Sequence, residues 1–217
     1  PIRAKVDYIN ATMFDKLESE SVKYEVDKLY DCKVYFDTGK IIEEDVLKDC
    51  NKLSKKQIEY ESDNVLNNSQ CEIELQLKIG AIVMCTANID LTNGICNGSQ
   101  GIIIDLIGPN NRPKILFVNG ITMVMNKYNW QSYDCPTIAI KQYPLRLAWA
   151  LTIHKIQGAT LDMAEIDAGS SIFEYGQTYV AMSRVKTLEG LYLSDFNPNV
   201  IKVNKKVVNF YKKIPIY

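Results

Sequence analysis

Two short stretches of this sequence concentrate side chains that can bind anions. In the first, His154, Lys155 and Gln157 stand directly before Gly158. The apolar residues upstream recur at the i, i+3, i+4 spacing of one buried helical face, so a helix is predicted to begin near Pro144 and to end at Gly158. Three polar side chains between an apolar helix and a glycine turn suit ligand contacts better than packing.

The second stretch, residues 176–184, ends in Arg184. Phosphoryl transfer builds negative charge on the γ-phosphate oxygens, and a planar guanidinium can pair with two of them at once. On a helix, Gln177 and Arg184 would share a face and could address one ligand together. Position alone, however, would favour an exposed arginine in a surface salt bridge.

The two stretches resemble motifs of a known family. H-K-I-Q-G-A-T is similar to motif V, and G-Q-T-Y-V-A-M-S-R to motif VI, of superfamily-one DNA helicases of the petite-integration-frequency (PIF) family, relatives of the RecD helicases. P-I-R-A-K-V-D-Y-I-N, at the start of the chain, resembles the motif IV region, with Ile2 where threonine is usual. Residues 77–101 resemble the SH3-like insertion of the same family.

The resemblance implies a nucleotide-binding role for part of the two motifs. It makes Arg184 the catalytic residue, an arginine that reaches the γ-phosphate and is worth about 10³–10⁵ in rate. It assigns Gln157, Gly158 and Gln177, together with Arg184, to binding of the nucleotide. The match to Y-V-A-x-S-R is what favours this role over a surface salt bridge.

The resemblance also implies a set of DNA contacts. Thr152, His154 and Lys155 are assigned to the DNA side of motif V, and Arg3 is a further candidate from motif IV. Hydroxyl, imidazole, ammonium and guanidinium groups bond phosphates without reading base sequence. The sequence has no Ser-His-Asp or Cys-His arrangement that would make His154 a general base.

The implied enzyme needs parts that this sequence does not supply. A motor ATPase requires a G-x-x-x-x-G-K-[S/T] loop for the phosphates and an acidic pair for Mg²⁺. Gly39-Lys40 has no upstream glycine at the required spacing, and the acids at residues 43–45 do not follow an apolar strand. We therefore expect a C-terminal fragment that is inactive alone. Its cofactor would be ATP with Mg²⁺, and its partners the N-terminal motor domain, single-stranded DNA and single-strand/double-strand junctions.

An α/β fold is predicted to position these residues. The order strand, helix, strand, helix, strand after residue 137 is typical of a parallel sheet. The resemblance makes this a RecA-like sheet with helices on both faces, the second motor domain, built from residues 1–78 and 142–217. Short strands separated by Asn-Gly and Gly-Pro turns predict a small β-barrel between them. The resemblance makes this barrel the SH3-like insertion, at residues 79–141.

The remaining elements follow from local periodicity. Helices are expected within residues 3–17, 43–66 (one or two helices) and 198–213. Strands are expected near residues 22–26, 72–79, 81–87, 101–107, 114–118, 121–127, 137–143, 163–168 and 191–193.

Composition limits the remaining function classes. The 217 residues are 47% hydrophobic and 24% charged, which is typical of a globular protein. The 6 cysteines form no C-x-x-C pair and there is 1 histidine, so no metal site is expected. Scattered cysteines in a sequence without a signal-peptide pattern are expected to be reduced thiols, which indicates an intracellular protein, nuclear or cytoplasmic. No apolar run is long enough for a membrane span. The net charge, −1, is no nucleic-acid signature by itself.

Two other classes of function stay open from the residues alone. A non-catalytic nucleic-acid-binding module built around the barrel would explain the turns, but it would leave Y-V-A-M-S-R unexplained. A protein-interaction domain could use the barrel as a peptide groove, with Tyr128, Trp130 and Tyr133 as its aromatic side chains.

Overall fold

The computed structural model describes residues 3–170 and 172–214, so Ile2 of the motif IV resemblance lies outside the described residues. The helices are α1 (Arg3–Asp15), α2 (Glu44–Cys50), α3 (Lys55–Asn68), α4 (Gln177–Met182) and α5 (Lys205–Tyr211), with 3₁₀ helices at Ile153–Ile156 and Pro198–Val200. The strands are β1 (Val22–Glu25), β2 (Asp27–Leu29), β3 (Glu74–Leu77), β4 (Ile82–Cys85), β5 (Gln100–Ile107), β6 (Arg112–Phe117), β7 (Thr122–Val124), β8 (Tyr128–Gln131), β9 (Ala139–Gln142), β10 (Leu145–Leu147), β11 (Ala164–Ala168) and β12 (Leu191–Phe196).

The largest sheet is antiparallel and has the order β10-β4-β5-β6-β7. Its strands alternate buried and exposed residues, so one face packs into the main apolar core while the other meets water. Leu77, Ile103 and Ile115 lie in that core and are 0–1% exposed. Burial of each such side chain contributes about 1.5–3 kcal/mol, so this core is a major source of the stability of the fold.

The described residues form three smaller sheets in addition to the large one. β2, β9 and β8 form an antiparallel sheet, and β1 pairs with β3. β11 and β12 pair in parallel, with Ala164 opposite Leu191, and α4 connects them in sequence. A mixed α/β fold with several sheets therefore confirms the predicted class, whereas the RecA-like sheet and the SH3-like barrel stay predictions.

The helix predicted from Pro144 to Gly158 is wrong. Leu145–Leu147 form β10, which pairs with β4 and places Leu145 opposite Cys85, and only Ile153–Ile156 are helical, as a 3₁₀ turn. The i, i+3, i+4 pattern arises because this segment is buried from several sides: Leu145 enters the main core, while Ile153 and Ile156 enter two other apolar clusters. Pairing with β10 gives hydrogen-bond partners to backbone N–H and C=O groups of β4. A helix at residues 145–147 would leave those groups unpaired at the edge of the sheet.

Most other predicted elements are confirmed within a few residues. Residues 43–66 hold two helices, and α3 begins with a capping box between Ser54 and Gln57. The helix predicted at residues 198–213 is too long, because the side chain of Asn204 accepts a hydrogen bond from Lys206 N and starts α5 afresh. β2 and β8 were not predicted. No helix among the described residues has the length and apolar character to cross a bilayer.

Candidate functional site

A cleft of about 900 Å³ lies between α1, the start of β3 and the 3₁₀ helix at Ile153–Ile156. Its lining includes all four residues that the sequence assigned to DNA: Arg3, Thr152, His154 and Lys155. Arg3 is at the start of the chain and the other three are far along it, so only the fold brings them to one surface. Their contact with DNA stays a prediction.

The wall formed by α1 is fastened by two sets of hydrogen bonds. Asn10 Nδ2 donates to the carbonyl of Ala150 at 2.8 Å, and Ala150 N donates back to Asn10 Oδ1 at 3.0 Å. The ammonium of Lys78 donates to the carbonyls of Phe14 and Leu17, at 3.2 and 2.9 Å. These carbonyls belong to the last turn of α1 and to the turn that follows it, where a cation is favoured. The helix is thus held at its middle and at its end.

A third contact ties α1 to the parallel strand pair. Lys5 Nζ lies 2.9 Å from Asp167 Oδ2, on β11. The hydrogen bond from Lys5 holds the pKa of the Asp167 carboxyl below its usual value. Because the pair is partly exposed, it contributes little to stability, but it fixes the side of α1 that faces away from the cleft.

The opposite wall is the 3₁₀ helix. Thr152 precedes it, and its Oγ1 accepts a hydrogen bond from Lys155 N at 3.4 Å. Ile153 and Ile156 are buried in two different apolar clusters, which leaves His154 and Lys155 between them as exposed side chains. The apolar pair therefore dictates that the imidazole and the ammonium point away from the core.

Each cationic side chain that lines the cleft already has an acidic partner. Arg3 Nε lies 3.7 Å from Asp7 Oδ2, and both side chains are largely exposed. Arg146 Nη2 and Lys155 Nζ each lie 3.1 Å from the same oxygen, Oε1 of Glu72. Carboxylates of the same chain therefore hold the cationic side chains of the cleft in place and neutralise part of their charge.

Sequence reasoning missed Arg146, the one buried charge in this cleft. Its residue is 6% exposed, its Nη2 donates to the carbonyl of Gln70 at 3.0 Å, and its buried Nε has no hydrogen-bond partner among the described residues. Burial lowers the pKa of the guanidinium, although an arginine stays charged. The signal was a charged residue inside the apolar run P-L-R-L, since a buried charge needs a partner.

Gln157 and Gly158, assigned to the nucleotide, follow the 3₁₀ helix and are exposed. Gly158 has a φ of +77°, and a Cβ added there would meet nothing within 4 Å. The glycine is therefore required by the left-handed turn and not by a close neighbour. Neither residue lines the cleft described above.

Arg184 lies just beyond the C-terminus of α4. Its Nε donates to the carbonyl of Val180 at 3.2 Å and its Nη2 to Ser183 Oγ at 3.1 Å, both on its own turn. Within residues 3–170 and 172–214 the guanidinium forms no ion pair with a carboxylate, so the surface salt bridge that position alone favoured is wrong. The backbone of Arg184 is held firmly, since its carbonyl accepts from Leu161 N at 2.8 Å.

Gln177 does not join Arg184. It begins α4, is 6% exposed, and its Oε1 accepts hydrogen bonds from Phe173 N and Glu174 N, at 3.2 and 3.3 Å. The side chain thereby closes the turn before the helix and lines the cleft with the candidate DNA contacts. Gln177 Oε1 binds the turn before α4 and Arg184 Nε donates to the last turn of α4, so the two side chains have different partners here. Their shared role toward a nucleotide stays a prediction.

The described residues hold no cluster of three or more His, Cys, Asp or Glu side chains that could bind a metal ion.

Tyr128 and Trp130, candidates for a peptide groove, belong to β8 and pack edge to face at 5.0 Å, while Tyr133 is 99% exposed. A peptide-binding role for these aromatic side chains stays a prediction.

Comparison with known proteins finds similarity to DNA helicases. Residues 63–106, from α3 to β5, match the family of the 2B domain of DNA helicase Pif1. The ATP-dependent DNA helicase PIF1 of Danio rerio is 44% identical over 145 residues, which is 64% of this chain and 22% of that protein. The chain therefore spans about a quarter of the length of the curated relatives it matches.

Solved structures agree over a larger part of the chain. A Pif1 helicase from Bacteroides, a double mutant, superposes with a TM-score of 0.68 at 28% identity, covering 98% of this chain and 43% of the other. A Bacteroides Pif1 helicase in complex with ADP-AlF3 and single-stranded DNA gives a TM-score of 0.58 at 27% identity, covering 97% and 43%. Sequence and architecture together establish that this chain belongs to the Pif1 family of DNA helicases.

Proposed function

We propose that this chain is the C-terminal motor half of an ATP-dependent 5′→3′ DNA helicase, which translocates on single-stranded DNA and unwinds duplexes. One observation carries the proposal: Arg3, Thr152, His154 and Lys155 line a single cleft. A relative of known structure binds single-stranded DNA together with ADP-AlF3, and it covers nearly all of this chain.

The cleft would form part of the DNA track. Its hydroxyl, imidazole, ammonium and guanidinium groups can donate to phosphate oxygens, and such contacts hold a strand without reading its sequence. The substrates would be single strands and single-strand/double-strand junctions. Arg3 and Lys155 lie on opposite walls, so a strand between them would touch both α1 and the 3₁₀ helix.

Arg184 would supply the arginine finger. Its side chain is partly exposed and, among the described residues, is hydrogen-bonded only to groups of its own turn, so an incoming γ-phosphate could replace neutral acceptors at little cost. A guanidinium gains most from an anionic partner in a site without water. Gln157 and Gly158 would contribute exposed polar and backbone groups to the same nucleotide, and Gln177 would act by shaping the turn before α4.

The nucleotide would be ATP with Mg²⁺. The groups present here fit the phosphate end of ATP, since Arg184 offers two or more donors and no acid competes for them in the described part of the chain. The N-terminal motor domain of the same protein would provide the phosphate loop and the Mg²⁺ ligands. When bound, Mg²⁺ would neutralise negative charge that develops on the phosphates.

The proposed architecture divides the chain as the sequence suggested. Residues 1–78 and 142–217 would form the second RecA-like motor domain, and the parallel pair β11–β12 with α4 supports that division. Residues 79–141 would form the SH3-like insertion, and β4 to β7 lie within them. A nuclear or cytoplasmic location would follow from a DNA substrate. A non-catalytic binding module is less well supported, because all four DNA candidates lie outside residues 79–141.

The experiment measures ATP hydrolysis and strand separation by the intact protein. We expect single-stranded DNA to stimulate turnover to about 1 s⁻¹ or faster, and duplexes with a 5′ tail to be unwound in preference to those with a 3′ tail. As a control, the 217-residue chain alone should not reach that turnover. Hydrolysis that DNA does not stimulate, or unwinding only from a 3′ tail, would overturn the proposal.

A further inference from the structure

One oxygen of Glu72 serves two cations in the cleft. Glu72 Oε1 lies 3.1 Å from Arg146 Nη2 and 3.1 Å from Lys155 Nζ. Glu72 stands two residues before β3, Arg146 is the middle residue of β10, and Lys155 is in the 3₁₀ helix. A single carboxylate thus joins three segments of the chain at one point of the cleft wall.

The two cations differ in how freely they can leave that carboxylate. The side chain of Arg146 is 7% exposed and also donates to the carbonyl of Gln70 at 3.0 Å, whereas that of Lys155 is 42% exposed. A buried guanidinium cannot lose its counter-ion without a large cost in stability, because its charge would be left in a poorly hydrated place. An exposed ammonium on a flexible stem can exchange partners in water.

We propose that Glu72 is the resident counter-ion of Lys155, which it holds in the DNA-free cleft and releases to a DNA phosphate; this rests on the proposed DNA role of the cleft. When a strand enters, Lys155 Nζ exchanges Glu72 Oε1 for a phosphate oxygen. Glu72 remains paired with Arg146, so the buried charge keeps its partner throughout. Glu72 is therefore a positioning residue: it sets how tightly Lys155 binds DNA and does not itself touch the strand.

The charge of the cleft is consistent with such an exchange. Its lining includes the acids Asp7, Asp15, Glu72 and Glu74 beside the cations Arg3, Arg146 and Lys155. A polyanion can enter only if phosphates replace carboxylates as the partners of exposed cations. Of the two exposed cations, Lys155 has the closer pair, at 3.1 Å against 3.7 Å for Arg3 and Asp7.

A simpler explanation for any effect of Glu72 is its negative charge alone. Glu74 provides the matched control, since it lines the same cleft and carries the same charge but pairs with Lys23, at 3.1 Å. If charge alone mattered, removing either carboxylate would strengthen DNA binding to the same degree. If the pair matters, only the effect of Glu72 will depend on Lys155.

The test measures the dissociation constant of the intact protein for an oligothymidylate, at several salt concentrations. Glu72→Gln should tighten binding about threefold to fivefold, the range that a partly exposed ion pair allows, and should leave the salt slope unchanged because the number of phosphates bound is the same. In a Lys155→Ala background the same change should have only the smaller effect that removing a carboxylate charge from the cleft produces. Glu74→Gln should have a smaller effect that is equal in both backgrounds.

A second variant guards against misfolding, because glutamine leaves Arg146 without a full counter-ion. Glu72→Gln combined with Arg146→Met removes the buried cation and the acid together, and such replacements of buried pairs are often neutral for stability. The net charge of the cleft is then unchanged, yet Lys155 is free. The same threefold to fivefold tightening is expected, at roughly the strength of a partly exposed ion pair.

The outcomes separate this inference from the proposed function. Equal binding by the native protein and Lys155→Ala would overturn both. Weaker binding by Lys155→Ala, with Glu72→Gln no different from Glu74→Gln or equally effective without Lys155, would overturn the counter-ion role and leave the DNA role intact. Failure of the double variant to tighten binding would also overturn the counter-ion role.

Discussion

Two cationic regions of this chain differ in whether their positive charges have acidic partners. One is the cleft with Arg3 and Lys155, and the other is the surface around Arg184. In the cleft, each of the three cations has a carboxylate partner. At the other surface, Arg184 donates only to Val180 O and Ser183 Oγ. One surface is therefore electrostatically complete within the described part of this chain, and the other is not.

Several aromatic side chains on α4 and β12 are exposed. Tyr179 on α4 is 75% exposed, and Tyr192 and Phe196 on β12 are 56% and 47% exposed. By contrast, the core behind the large sheet contains side chains such as Leu77 and Leu145 at 0% exposure. Tyr179 lies on the helix that directly precedes Arg184, and exposed aromatic side chains together with arginine are enriched where a protein surface meets another body. This fits the proposal that an N-terminal motor domain covers Arg184.

The largest predicted effect tests the role of Arg184 at that surface. Arg184→Ala in the intact protein should lower the DNA-stimulated ATPase rate about 10³-fold or more, because the transition state is deprived of its charge stabilisation. Arg184→Lys should recover little, since an ammonium cannot reproduce the planar fork. The melting temperature should stay nearly unchanged, because the side chain has no acidic partner within the described residues.

Lys186 gives the control for Arg184. It lies two residues further on and pairs with Asp162 at 2.6 Å, so Lys186→Ala removes a neighbouring cation that already has its partner. Its ATPase rate should stay within a few-fold of the native value. If Arg184→Ala instead destabilises the protein and leaves turnover near normal, Arg184 supports the fold and does not act in ATP hydrolysis.

The next effect concerns two glycines near the loop after the 3₁₀ helix. A Cβ on Gly98, where φ is +96°, would lie 2.7 and 2.8 Å from the backbone N and O of Thr160, whereas one on Gly158, at +77°, would meet nothing within 4 Å. Gly158→Ala should cost about 1–2 kcal/mol from the left-handed backbone alone. Gly98→Ala should cost about 2–5 kcal/mol, because overpacking is added.

Thermal unfolding of the two glycine variants provides the measurement, with about 2–4 °C expected per kcal/mol for a chain of this size. Equal destabilisation would indicate that the loop can move away from Gly98.

The third effect tests how α1 is held against the cleft. Asn10→Ala removes both hydrogen bonds to Ala150 and leaves a partly buried N–H and C=O without partners, so it should destabilise the protein by about 1–3 kcal/mol. Asn67→Ala, at an exposed position of α3, is the control and should change stability by less than about 0.5 kcal/mol. Urea unfolding compares the two, and equal stabilities would show that α1 is seated by other contacts.

The elements of this fold could be predicted where one periodicity dominates. The alternation around Leu75 and Leu77 and the capping box at Ser54 each specify a local structure that tertiary contacts leave unchanged. Around Leu145 the local pattern fits a helix, but the free edge of β4 requires a strand there. That competition depends on a residue far away in sequence, so local periodicity could not resolve it.

The candidate site could be predicted in its residue types but not in its pairings. Thr152, His154 and Lys155 were chosen from one motif, and the fold gathers them with Arg3. The position of Gln177 in the same cleft, and the carboxylate of Glu72 between two cations, depend on contacts between distant segments. A sequence shows which groups can ionise, but their partners become visible only once the chain is folded.

The smallest predicted effect concerns Lys155, because it exchanges one anionic partner for another. Lys155→Ala should weaken binding of single-stranded DNA by less than about tenfold, and should reduce the slope of log K against log salt by about 0.7, since one fewer phosphate is neutralised. Lys52→Ala is the control, since Lys52 is an exposed lysine paired with Asp49 at 2.7 Å, in the turn after α2 and outside the cleft lining. Its slope should match that of the native protein. If both variants changed the slope equally, binding would depend on the overall charge of the chain. A change confined to Lys155 would mean that the cleft offers DNA a specific phosphate-binding group, which is what separates it from the surface around Arg184.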